Sequence, residues 1–162
     1  MKEVLQKSDW GHQNTALSIH GPMTLDVQSS FKLKKGQLFL KSKIFEGERS
    51  FGEFLIFVDN EANEYKLSLG GFNGTKGLGD SFVHSNNAYF STVDVDNDNN
   101  REDCEGTHKA GWWFHSCIYA NLNGVYIKAS KKDGTELSWF HWGNTWKSLK
   151  SAKMMIRPRQ NA

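Results

Sequence analysis

Leu38, Leu40, Ser42 and Ile44 fall at every second position, so an extended chain carries them on one face. That period predicts a strand with one buried side. A run of five apolar residues, Phe54-Leu55-Ile56-Phe57-Val58, predicts a second strand. Tyr65, Leu67 and Leu69 alternate with Lys66 and Ser68 and predict a third, which Gly70-Gly71 is expected to end. Turn-forming residues separate these runs. They are Glu46-Gly47-Glu48, Asp59-Asn60-Glu61, and the stretch from Gly70 to Gly79 with its five glycines.

The second half is less regular. Short strands are predicted over Tyr89–Val93, Val125–Ile127 and Met154–Ile156. Short helices are predicted over Val4–Lys7 and Trp146–Lys150. Trp112-Trp113-Phe114 forms an aromatic knot, read as core packing. Residues 1–36 are polar and show no sustained period. They are read as an atypical N-terminal segment, with the domain proper over residues 37–162. The class is α+β, rich in loops.

A length of 162 residues favours a single domain. Aromatics make up 13% and glycine outnumbers proline 15 to 2, which suits a folded chain of short strands and turns. The net charge of +2 excludes whole-surface attraction to nucleic acid or anionic lipid. The five-residue apolar run is far short of the ~20 residues that span a bilayer. The first nine residues carry no apolar leader segment. No G-x-S-x-G, H-E-x-x-H or C-x-x-C is present, so no catalytic signature appears.

The strongest local chemistry lies in the loop Asp94-Val95-Asp96-Asn97-Asp98-Asn99-Asn100-Arg101-Glu102-Asp103-Cys104-Glu105. Carboxylates two residues apart, with amides between them, converge readily on a hard cation. Calcium takes six to eight oxygens, so the loop is read as a calcium site in preference to a solvated acidic turn. An EF-hand would place Asp94, Asp96 and Asp98 at its first, third and fifth positions and Glu105 at its twelfth. It is rejected, because Asn99 stands where glycine is required and the flanks are not helical.

Cys104 and Cys117 are compatible with a disulfide, a reduced pair, or a zinc site with His108 and His115. Gly70-Gly71-Phe72-Asn73-Gly74-Thr75-Lys76-Gly77 lacks the Gly-Lys-Ser/Thr of a phosphate loop and reads as a long turn. Asn73-Gly74-Thr75 is an N-glycosylation triplet, meaningful if the chain is secreted.

Taken in order, these segments resemble the fibrinogen C-terminal domain family. Tyr65-Lys66-Leu67-Ser68-Leu69-Gly70-Gly71-Phe72-Asn73-Gly74 is followed by Gly79-Asp80-Ser81, Phe90-Ser91-Thr92 and Asp94-Val95-Asp96-Asn97-Asp98. Then come Cys104, Gly111-Trp112-Trp113, Cys117 and Asn121-Leu122-Asn123-Gly124-Val125-Tyr126, closed by Ser148-Leu149-Lys150 and Met155-Ile156-Arg157-Pro158. The resemblance runs from about Gln37 to Pro158. It implies a twisted, mainly antiparallel sheet beside a loop-rich calcium-binding subdomain. It also implies a secreted recognition domain, not an enzyme, and a Cys104–Cys117 disulfide. The calcium ligands it implies are the side chains of Asp96 and Asp98 and the backbone carbonyls of Asn100 and Glu102. It further suggests a cis Ser116–Cys117 peptide.

By that resemblance, a ligand pocket is expected around His108, Ser116, Cys117, Ile118, Lys131 and Lys132. The aromatic wall that holds an acetyl group in sugar-binding members is partly replaced here, by His108, Ile118 and the two lysines. The expected function is therefore calcium-dependent, lectin-like binding of a glycan, acetylated or acidic group, of innate-immune type. The alternative is a protein-interaction ligand of angiopoietin or fibrin type that engages an extracellular or cell-surface protein, or a truncated inactive member. A homo-oligomer is compatible with either. The first subdomain of the family, with its own disulfide, has no counterpart in residues 1–36.

Overall fold

A computed structural model of the chain describes residues 15–19, 35–44, 47–98, 100–127 and 133–158. Among these residues seven strands form one antiparallel sheet: β1 (Thr15–Ile19), β2 (Lys35–Ile44), β3 (Arg49–Val58), β4 (Leu67–Gly74), β5 (Ala120–Asn121), β6 (Ser138–Trp139) and β7 (Lys147–Pro158). The order across the sheet is β4-β3-β2-β7-β6-β5, and β1 pairs with β7. The only α-helix among the described residues is α1 (Cys104–His108), with 3₁₀ turns at Glu61–Asn63 and Phe82–Ser85.

The period-two reading of β2 holds. Leu38, Leu40, Ser42 and Ile44 are all buried. The partner strand β3 buries Ser50, Gly52, Phe54, Ile56 and Val58 on the same side. β7 crosses β2 with Leu40 opposite Met154 and Ser42 opposite Ala152.

Four expectations change. Residues Trp146–Lys150 are not helical, because β7 starts at Lys147. A register shift opposite Lys43 and Ile44 sets the buried residues Leu149 and Ala152 three apart, which imitates a helical period. Gly70-Gly71 does not end β4, which continues to Gly74. A bulge there sets Gly71 and Phe72 opposite Phe54 alone, and Gly71 adopts φ +61°. The expected strands at Tyr89–Val93 and Val125–Ile127 reduce to single bridges, Ser91 with Trp112, Thr92 with Val95, and Val125 with Glu136. Every described peptide bond is trans, including Ser116–Cys117. The expected Val4–Lys7 helix lies outside the described residues.

Aromatic rings fill the space between the sheet and the loops. Phe82 stacks on Trp112 at 5.1 Å, Trp113 meets Phe90 edge-on at 5.0 Å, and Phe54 lies 5.8 Å from Phe82. The Trp113 indole N–H donates to the Tyr65 carbonyl (2.8 Å), and that of Trp139 donates to the Gly79 carbonyl (2.9 Å). Trp112, Trp113, Trp139 and Trp142 therefore lie in the core, with Trp146 packed against it. Within the Gly79-Asp80-Ser81 motif, Ser81 is fully buried and its hydroxyl accepts from the His141 backbone N–H at 2.7 Å.

Candidate metal centre

The acidic loop leaves the core at Phe90. A tight turn joins Thr92 and Val95 by two backbone bonds of 2.8 and 2.9 Å. Asn97 ties the loop down, donating its side-chain amide to the Phe90 carbonyl (2.8 Å) and its backbone N–H to the Ser91 hydroxyl (3.0 Å). Asp98 N–H donates to Asp96 Oδ1 at 3.0 Å, and Asn100 N–H donates to Asp98 Oδ1 at 2.6 Å. These short side-chain-to-backbone bonds curl the segment so that alternate carboxylates point one way.

The far wall is α1. Asp103 caps it, accepting from Gly106 N–H at 2.6 Å. Cys104 and Cys117 form a disulfide with Cα atoms 5.5 Å apart, which removes both thiolates from the zinc alternative. The Asn100 amide donates to both sulfurs, at 3.3 and 3.5 Å. The cystine thus locks α1 and the acidic loop to the chain after Trp113.

Asp96, Asp98 and Glu105 meet between these two walls, with one carboxylate oxygen of each lying within 4.8 Å of the others. Asp96 is exposed, Asp98 half-buried and Glu105 only 2% exposed. Asp98 Oδ2 and Glu105 Oε1 are buried and accept no hydrogen bond among the described residues. Burial pushes the Asp98 carboxyl above its usual range, and the charges of Asp96 and Asp103 add to this. The bond from Asn100 N–H opposes it, and a proton shared with Glu105 would do so too. Burial raises Glu105 likewise, with the Asp98 and Asp96 charges adding. Its own backbone N–H and the Ser91 hydroxyl oppose the rise.

Unpaired buried carboxylates are costly unless a cation or a proton neutralises them. Three carboxylates on a curled loop form an oxygen-only donor set of the kind hard divalent cations such as calcium take. The cluster could therefore hold a metal ion. Of the residues expected as ligands, Asp96 and Asp98 are in it. Asn100 and Glu102 lie on the segment joining Asp98 to α1, and Asp94 turns away to accept from the Thr92 hydroxyl at 2.7 Å. Glu105 was not expected as a ligand. Its signal was present as the twelfth residue of the rejected EF-hand, and α1 supplies the fold back that an EF-hand helix would have given.

The residues expected around a ligand pocket are dispersed in character. His108 and Ile118 are buried, Cys117 is half-buried and Ser116 is exposed. His108 Nδ1 lies 3.3 Å from the Gly134 carbonyl. Lys131 and Lys132 fall outside the described residues. Beside Ser116 the surface is aromatic. Tyr119 is 39% and Val83 is 54% exposed, and the Tyr119 ring lies 4.7 Å from His84, 5.1 Å from His141 and 5.1 Å from Phe140. His115 sits 5.5 Å from His84. No helix among the described residues is long and apolar enough to cross a membrane.

Residues 26–159 match the model of the C-terminal globular domain of fibrinogen beta and gamma chains. The match begins upstream of Gln37. Mouse angiopoietin-related protein 7 is 35% identical over 156 residues, covering 93% of this chain and 46% of that protein. Mouse fibrinogen-like protein 1 is 36% identical over 146 residues, covering 83% of this chain and 45% of that protein. This chain thus spans about half the length of the curated relatives it matches. Among solved structures, the fibrinogen-like globe domain of human ANGPTL6 superposes with a TM-score of 0.70 at 30% identity, covering 78% of this chain and 58% of that one. Lamprey fibrin D-dimer, in complex with the peptide Gly-His-Arg-Pro-amide, shares the fold at a TM-score of 0.67 and 21% identity, covering 80% of this chain and 48% of that one.

Proposed function

Since this chain belongs to the family of fibrinogen C-terminal globular domains, we propose that it is an extracellular recognition module whose ligand is a protein or peptide. What carries the reading is its likeness to angiopoietin-related and fibrinogen-like proteins across most of its length. This favours the protein-ligand alternative over the lectin reading. The disulfide agrees with an oxidising, extracellular setting. The same fold carries a short peptide in the lamprey fibrin complex.

The contact surface is placed around Tyr119, Val83 and Phe140, with His84, His115 and His141 at its rim. Exposed aromatic groups with polar neighbours anchor protein partners well. A calcium ion would be held by the Asp96, Asp98 and Glu105 carboxylates, with the backbone carbonyls of Asn100 and Glu102 as the further expected ligands, and would neutralise the charge that these groups bring together.

The test is binding of the oxidised domain, in millimolar calcium, to parallel panels of extracellular receptor domains and of glycans. Saturable binding to a protein is expected, weakened at least tenfold by Tyr119→Ala, which corresponds to about 1.4 kcal/mol. N-acetylglucosamine should not compete. Calcium-dependent glycan binding without a protein ligand would reverse the proposal in favour of a lectin.

A further inference from the structure

Asn73-Gly74-Thr75 is the one Asn-x-Ser/Thr triplet in the sequence, and its place in the fold gives it a use. We propose that Asn73 carries an N-linked glycan that covers the open end of the sheet. The inference rests on the extracellular reading, because the modification is made in the secretory pathway.

Asn73 pairs with Glu53 across the sheet, so both side chains lie on the face away from the core. Its neighbour Phe72 turns inward and packs 5.0 Å from Phe54. The Asn73 side chain is exposed. Space around it is open: a Cβ built on Gly70 or on Gly77 would meet no atom within 4 Å. Thr75 is held at the turn by its hydroxyl, which accepts from Phe51 N–H at 3.0 Å.

Two liabilities surround this position. The first is a sheet edge. β4 is the last strand, and residues 86–88 cover only its beginning, through bonds of 2.7 to 2.9 Å to Leu67 and Leu69. Beyond Leu69 no strand pairs with its outer side among the described residues, and an unpaired edge invites strand addition by another chain. The second is apolar surface. Phe51 and Leu55, on the outward face of β3, are 53% and 37% exposed. A glycan on Asn73 hangs over both, bulky and strongly hydrated.

The transfer is a substitution at carbon. Nδ2 of Asn73 forms a bond to C1 of the first N-acetylglucosamine of a lipid diphosphate-linked oligosaccharide. The C1–O bond to the diphosphate breaks, the lipid diphosphate departs with the electron pair, and the amide loses one proton to the transferase. Nothing is oxidised or reduced.

The experiment is translation of the full chain behind a cleavable secretory leader in the presence of endoplasmic-reticulum microsomes. Protease protection selects the translocated molecules. The protected chain is expected to migrate more slowly, and peptide N-glycosidase should abolish the shift and leave Asp at position 73. Asn73→Gln and Thr75→Ala should lose the shift, while Thr75→Ser, which keeps the triplet, should retain it. A protected chain without the shift overturns the glycan and leaves the extracellular reading standing. A shift that persists in Asn73→Gln also overturns it.

Discussion

Asp98, half-buried, and Glu105, buried, face each other as like charges, and this decides how substitutions there behave. Both carboxyls titrate above their usual range in the folded chain. The ion-free fold therefore binds more protons than the unfolded chain, and stability falls as pH rises past the unfolded carboxylate value. Asp98→Asn keeps an acceptor for Asn100 N–H and removes the repulsion. It should raise the melting temperature in chelator. The same change should abolish the stabilisation by calcium, which for the natural chain should be about 2.7 kcal/mol at a hundredfold excess over the dissociation constant. Thermal melts with and without calcium decide it, and a full calcium response in Asp98→Asn would refute the assigned centre.

His108 has the opposite sense. Burial lowers its pKa, against the Gly134 carbonyl and the Asp133 charge. The unfolded chain binds the proton more readily, so the His108 contribution is complete above about pH 6.5 and declines as pH falls through that value. In urea unfolding at saturating calcium, His108→Gln should flatten the loss of stability between pH 7.5 and 5.5. An unchanged slope would mean that other groups carry the dependence. At this scale the sequence was most readable where chemistry is local. Asp96 and Asp98 announce themselves by spacing. Glu105 showed only as the twelfth position of the rejected EF-hand, because its place in the cluster depends on a short helix held by the disulfide and the Asp103 cap.

Among elements, β2 was plain because its buried face keeps a strict period of two. Met154–Ile156 was readable as a strand, but the start of β7 was hidden by its register shift, and the end of β4 was hidden by glycines that serve a bulge while normally signalling a stop. The order of strands was not readable from local pattern at all, since it is set by pairings between distant segments. The disulfide joins elements that share no sheet. Removing it by the double change Cys104→Ser/Cys117→Ser should cost about 3 kcal/mol on a chain-entropy basis. The change should also weaken calcium binding, since the Asn100 amide loses the sulfurs it faces. Equal calcium affinity in that variant, measured by titration calorimetry, would show that the loop holds itself. Gly124 is a sharper point of failure. A Cβ there would lie 2.5 Å from the Glu136 carbonyl oxygen, which belongs to backbone. Gly124→Ala should destabilise by about 3 kcal/mol in chemical unfolding.

At the scale of the whole molecule, the outward face of the sheet exposes the apolar side chains of Phe51 and Leu55. Lys41 sits 5.7 Å over the Phe51 ring and leaves half of it open. Protein made without glycan should associate as concentration rises, and Leu55→Lys should suppress this in sedimentation velocity. If association is the same in both, the contact lies elsewhere.

The position of β7 between β1 and β2 also sets a timetable. Leu38 and Leu40 cannot find Ile156 and Met154 until nearly all the described residues have been synthesised. At roughly 5–20 residues per second on the ribosome, the early strands spend seconds with their apolar faces unclaimed. Long-range pairing of this kind folds slowly. The domain is therefore expected to need shelter from aggregation while it is being made, and a stalled or prematurely ended message would release a sheet with its centre missing.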